Sequence, residues 1–117
     1  MKTNKSLIVI LVLIIGTMSL IGCATTPPDH LIVQPDPNNP FQGTWIQMGN
    51  DMSVYVIQGM EASWYLRRGN LGAEWNKYSV HTIEKRGEEY FITDNFRVKV
   101  NGDILTIGDV SYERYKQ

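Results

Sequence analysis

Cys23 is the single thiol of this sequence, and His30 and His81 are its two imidazoles. A catalytic thiol needs a positioned base and a pocket. Cys23 has neither, because it stands between an apolar run and a proline-rich stretch. A disulfide needs a second cysteine, and there is none. Zinc asks for three or four nitrogen or sulfur ligands at local spacing. His30 in a proline-rich segment and His81 in an expected strand do not supply them, so no metal is expected. Glu88 and Glu89 pass for an acid–base pair. Neighbouring strand residues point to opposite faces, however, and cannot converge on one bond. With Lys85 and Arg86 beside them they fit a solvated hairpin better. Ser53, Ser63, Ser79 and Ser111 lie outside any Gly-x-Ser-x-Gly setting. No phosphate-binding glycine loop or EF-hand pattern occurs. The sequence reads as a non-enzyme.

What remains for Cys23 is attachment. Lys2 and Lys5 precede the apolar run Leu7 to Ile15, and a softer stretch of small and apolar residues ends at Cys23. That is the layout of a secretory signal peptide over residues 1–22. A spanning helix needs about 20 apolar residues, more than Leu7 to Ile21 provides. Leu20-Ile21-Gly22-Cys23 resembles the lipobox of bacterial lipoproteins. The resemblance implies cleavage between Gly22 and Cys23, diacylglycerol on the Cys23 sulfur, and an acyl group on the new α-amine. No other cofactor is expected. One acyl chain holds a protein only marginally to a bilayer, whereas two or more hold it stably. The resemblance places the protein in the bacterial cell envelope. Under its enteric-type sorting rule, Ala24 in place of aspartate favours the outer membrane over the inner.

Without the leader, nine basic side chains face twelve acidic ones, and no basic patch is present. Nucleic acid is therefore not an expected partner. Residues 23–40 carry the lipidated cysteine and all five prolines, a composition that favours an extended spacer. Drawn out as polyproline II at ~3.1 Å per residue, it would reach roughly 50 Å. Leu31-Ile32-Val33 interrupts it and is a candidate for docking on the domain.

Residues 41–117 contain no proline, eight glycines, and all twelve aromatic side chains of the chain. Short β-branched and aromatic runs separated by turn residues predict strands near 43–48, 52–58, 61–67, 74–84, 88–93, 96–101, 103–108 and 110–116. No long helix is expected in this domain. Asn101-Gly102 suits a two-residue type I′ turn, which would pair Val100 with Asp103 and Val98 with Leu105. The expected fold is all-β: a small antiparallel meander of about eight short strands closing into a barrel. A half-open barrel or sandwich of five to seven strands is the alternative.

Gly43-Thr44-Trp45 resembles the opening of lipocalin-like barrels. In that family the tryptophan plugs the closed end, and an arginine near the last strand lies across it. The resemblance makes Trp45 and Arg114 a barrel-closing pair, with cation–π stacking as the physical warrant. Thr93-Asp94-Asn95 faintly resembles the family's Thr-Asp-Tyr motif, lacking its tyrosine. The domain has about half the usual lipocalin length, and Phe91, Phe96, Trp45, Trp64 and Trp75 could fill so small an interior themselves.

Trp64, Arg67, Arg68 and Trp75 surround the longest expected loop. They are a candidate contact patch at one barrel end, since Trp and Arg often anchor interfaces. The alternative is two core tryptophans with solvated arginines. The functional expectation is a membrane-anchored, non-catalytic binding module for an envelope protein or cell-wall partner. A carrier of a small apolar ligand is the competing reading.

Overall fold

The computed structural model describes residues 26–68, 74–93 and 95–117. They form an antiparallel meander: β1 (Gly43–Gln47), β2 (Ser53–Gln58), β3 (Glu61–Arg68), β4 (Glu74–Thr82), β5 (Glu84–Arg86), β6 (Glu89–Ile92), β7 (Phe96–Asn101), β8 (Ile104–Ile107) and β9 (Val110–Arg114). The signal peptide, Cys23, the tip of the β3–β4 hairpin and Asp94 lie outside the described residues.

The sheet runs β4-β3-β2-β1-β9-β8-β7-β6-β5, so the first and last strands are neighbours. β4 and β5 take the place of one expected strand at 74–84, divided at Ile83. β4 pairs with β3, while β5 pairs with β6. The Ile83 amide donates to the Met60 carbonyl at 2.7 Å, and its side chain is buried. The chain thus passes from one edge of the sheet to the other and nearly closes an all-β, barrel-like sheet of nine short strands, with β4 and β5 joined through the bend at Ile83. A buried apolar residue at the bend lets one strand serve both edges, which limits the unpaired backbone a flat sheet would expose.

Alternation selects the interior face. Registers Trp45↔Tyr55, Tyr55↔Trp64, Tyr90↔Val98 and Leu105↔Tyr112 put these side chains on the same side. Trp45, Ile57, Ala62 and Leu105 are wholly buried there, and Phe41, Ile83, Ile92, Val98 and Ile107 complete the cluster. The aromatic filling differs from the sequence expectation. Trp45 is inside, and Trp64 rests half-buried against the core. Phe91 faces outward under the Arg86 guanidinium, and Phe96 is exposed. Tyr55, Tyr90 and Tyr112 take their places. A one-residue change of parity separates Tyr90 from Phe91, and composition alone does not reveal it.

The β7–β8 turn also differs. Its register is Asn101↔Ile104 and Val100↔Leu105, two residues from the expected pairing. Gly102 (φ 62°) takes the first central position, and Asp103 the second without a positive φ, the pattern of a type II′ turn. The cause is tertiary. Asp103 is bonded to Arg114 (3.1 Å) and Lys116 (2.6 Å), and its carbonyl accepts from the Arg114 amide. A shift of two keeps every side chain on its face, so the core is unaffected.

Residues 26–42 are not an extended spacer. Pro27 and Leu31 are fully buried, and Asp29–Leu31 forms one 3₁₀ turn. The Thr44 hydroxyl donates to the Leu31 carbonyl (2.6 Å) and accepts from the Val33 amide (2.9 Å). Farther along, the Gln42 amide donates to the Gln34 carbonyl, and Asn39 donates to the Gly59 carbonyl. Proline restricts the unfolded ensemble of this segment and so lowers the entropy lost when it docks.

Candidate functional site

Two barrel ends differ in construction. At one end residues 38–42 enter the barrel, the β2–β3, β5–β6 and β7–β8 turns meet, and the chain leaves after Arg114. This end is plugged. Arg114 lies 4.3 Å over the Trp45 ring. Its Nη1 donates to the Gln42 carbonyl (2.6 Å), Nη2 to the Pro40 carbonyl (3.1 Å), and Nε to Asp103 (3.1 Å). The Trp45 indole donates to the Phe41 carbonyl at 2.9 Å. A Cβ on Gly43 would meet Arg114 Nη1 at 2.8 Å, at a φ of 150°. The glycine of Gly-x-Trp is therefore the floor on which the guanidinium lies. Hydrogen bonds from Lys116, then from Arg114, hold the Asp103 carboxyl below its usual range.

Beside the plug lies an open cleft of about 530 Å³. Its floor includes Phe41, Tyr90 and Val98, and its rim carries Glu88, Glu89 and Lys99. Phe41 and Tyr90 meet edge to face at 4.7 Å. Glu89 pairs with Arg97 on the neighbouring strand at 2.8 Å. The sequence offered no sign of this cleft, because its residues come from segments far apart in the chain.

Toward the opposite end an aromatic series crosses the interior. Tyr112 meets Tyr55 at 5.3 Å, Tyr55 stacks on Trp64 at 6.2 Å, and Trp64 meets Tyr78 at 5.6 Å. Arg68 closes the series, bonded to the Tyr78 hydroxyl and 5.3 Å from its ring. A register shift at Trp64/Tyr65 brings Tyr78 alongside Trp64. The Trp64 indole donates to the buried Ser53 hydroxyl at 2.8 Å. Burial, then the neighbouring Tyr55 phenol, push the Tyr112 hydroxyl up to about 12 despite its hydrogen bond with Ser53; burial raises Tyr55 as well. Both phenols stay protonated in the folded state, whereas in the unfolded chain they ionise near pH 10. A raised folded pKa makes the Tyr112 contribution to stability complete below about pH 10 and lost as pH climbs toward 12, and Tyr55 acts in the same direction. Tyr112→Phe should flatten that alkaline limb in chemical denaturation measured from pH 9 to 12.

The four residues of the expected contact patch do not form one surface. Trp64 faces the interior, and Arg68 stacks on Tyr78 on the same side of the hairpin. Arg67 pairs in register with Trp75 on the other side. His81 is half-buried opposite Ala62, and His30 is exposed in the 3₁₀ turn. Among the described residues no three His, Cys, Asp or Glu side chains are grouped to hold a metal. Among them, too, no helix is long and apolar enough to cross a membrane. No family model, curated protein or solved structure matches the chain.

Proposed function

We propose that this chain is a lipid-anchored lipoprotein of the bacterial envelope, most simply of the outer membrane, whose small lipocalin-like barrel is a non-catalytic binding module. The observation that carries the binding-module reading is the burial of the barrel's centre. Trp45, Ile57, Ala62 and Leu105 are fully buried there, which supports reading the barrel as a scaffold that presents surfaces. The lipid anchor rests on the Leu20-to-Cys23 sequence and its place after the apolar run.

The cleft beside the plug is the surface best suited to a partner. An apolar floor with both acidic and basic groups on its rim fits a peptide segment that offers an apolar side chain between charges. The competing carrier reading draws on the same cleft, whose volume lies within the range of small-molecule sites.

One paired experiment separates them. A photo-crosslinking residue at Lys99 should yield a discrete protein or cell-wall adduct in intact cells, and one at Lys77 should not. A fluorescent fatty acid should show no saturable binding to the purified protein. Saturable binding that Val100→Glu abolishes, with no adduct from Lys99, would assign the protein to the carriers instead.

A further inference from the structure

We propose that the barrel end opposite the plug rests on the bilayer in which Cys23 is anchored, with Met48, Met52, Phe96 and Val110 at the lipid surface and the cleft turned away from it. This orientation rests on the lipid-anchor reading.

The first observation is where the exposed apolar side chains lie. Six large ones stand out among the described residues: Met48, Met52, Tyr78, Val80, Phe96 and Val110. Met48 and Met52 flank the β1–β2 turn, and Phe96 and Val110 are the first residues of β7 and β9. Alternation of turns in the meander puts all four at the end opposite the plug. Tyr78 lies on the half of β4 that runs up to the same end. Scattered single apolar residues on a surface need no explanation. A group collected on one end of a small barrel marks a surface that meets something apolar. Acidic side chains stand at both ends, Glu61, Glu88, Glu89 and Asp103 in or beside the turns of the plugged end and Asp51 and Asp109 in those of the other, but the exposed methionines and Phe96 are confined to the end opposite the plug.

The second observation identifies what is met. Docking of residues 26–42 shortens the tether to the four residue steps between Cys23 and the buried Pro27. At ~3.3–3.6 Å per residue, that length spans at most about 14 Å even fully drawn out. The longer strands β1–β4, β7 and β9, of five to nine residues, are themselves about 17–30 Å long at ~3.3 Å per residue. The tether is thus shorter than the barrel it holds, and the domain must lie against the headgroups. Some face touches lipid, and the end with the exposed apolar group is the one chemically suited to it.

The β3–β4 hairpin reaches the same end, with Arg68 and Tyr78 on one side of it and Trp75 and Lys77 on the other. Trp75, Tyr78, Arg68 and Lys77 are amphipathic side chains of the kinds that settle at a membrane–water boundary, apolar bodies inward and polar tips in the headgroups. Lys77 already lies 5.7 Å over the Tyr65 ring, and Arg68 over Tyr78.

The test uses the fact that Cys23 is the only native cysteine, so lipidation leaves an introduced cysteine as the sole free thiol. Lipidated Met48→Cys, Phe96→Cys and Glu88→Cys chains are placed in protein-free vesicles of phosphatidylethanolamine and phosphatidylglycerol. Each is labelled with a membrane-impermeant maleimide, and the unacylated Cys23→Ser version of each chain gives the rate in solution. The expected result is labelling at positions 48 and 96 slowed at least about tenfold on vesicles, with position 88 unchanged, because only the apolar end enters the headgroup layer. All three positions are exposed in the fold, so the substitutions leave the core intact. Equal rates at both ends overturn the orientation. Protection in native membranes but not in protein-free vesicles also overturns it, assigning the apolar end to a partner protein. Recovery of the unmutated chain in the soluble fraction overturns the anchor reading itself.

Discussion

Trp45→Ala is expected to cost this domain about 3–5 kcal/mol, the usual range for truncating a buried aromatic ring. Against a typical total of about 5–15 kcal/mol for a small domain, that removes most of the margin. Several effects combine at this position. The ring is fully buried, its indole donates to Phe41, and the Arg114 guanidinium stacks on it. Removing the ring opens a cavity and strips the guanidinium of its platform, while leaving its bonds to the Pro40 and Gln42 carbonyls without support. Gly43→Ala should act through the same group, because its methyl would sit 2.8 Å from Arg114 Nη1. Urea denaturation followed by circular dichroism measures both. A loss below about 1 kcal/mol for Trp45→Ala would show that the plug is not what holds this end closed.

Cys23→Ser, produced behind a secretory leader that is removed independently of the lipobox, should move the protein from the membrane fraction to the soluble fraction almost completely. Hydroxyl in place of thiol leaves no site for diacylglycerol, and N-acylation depends on the cleavage that follows it. Each acyl methylene removed from the bilayer forfeits about 0.8 kcal/mol, so losing two or three chains removes the whole anchor. The exposed apolar end alone binds lipid far more weakly than acyl chains do, which is why release should be nearly complete. The barrel should be unaffected, since its buried cluster begins at Phe41. Fractionation and thermal unfolding of the variant check both halves. Retention in the membrane fraction would contradict the anchor, and loss of folding would show that the leader region supports the barrel.

The sequence reports most faithfully where one residue type has one physical use. Gly-x-Trp followed by a late arginine announces Trp45 and Arg114, which meet as a stacked pair in the fold. Strand positions follow from β-branched runs broken by glycine, because alternation and turn chemistry are local. The Ile83 bend is not local: nothing in Val80 to Lys85 says that one strand will serve two edges. The β7–β8 register escaped for a similar reason. Asn101-Gly102 states a preference, and Arg114 and Lys116, far along the chain, override it by holding Asp103.

The linker illustrates the same limit. Five prolines describe its unfolded stiffness correctly, yet Thr44 holds it to the barrel through two hydrogen bonds. The candidate contact patch failed on strand parity, since Trp64 and Trp75 sit on opposite sides of the hairpin. The cleft and the apolar end were invisible because each collects residues from distant segments.

The most direct test of the account is the intact mass of the protein extracted from membranes of the cells that make it. The expected chain begins at Cys23 and carries a diacylglyceryl group on sulfur and an acyl group on the α-amine. A chain that still begins at Met1, or one with an unmodified Cys23, would contradict it.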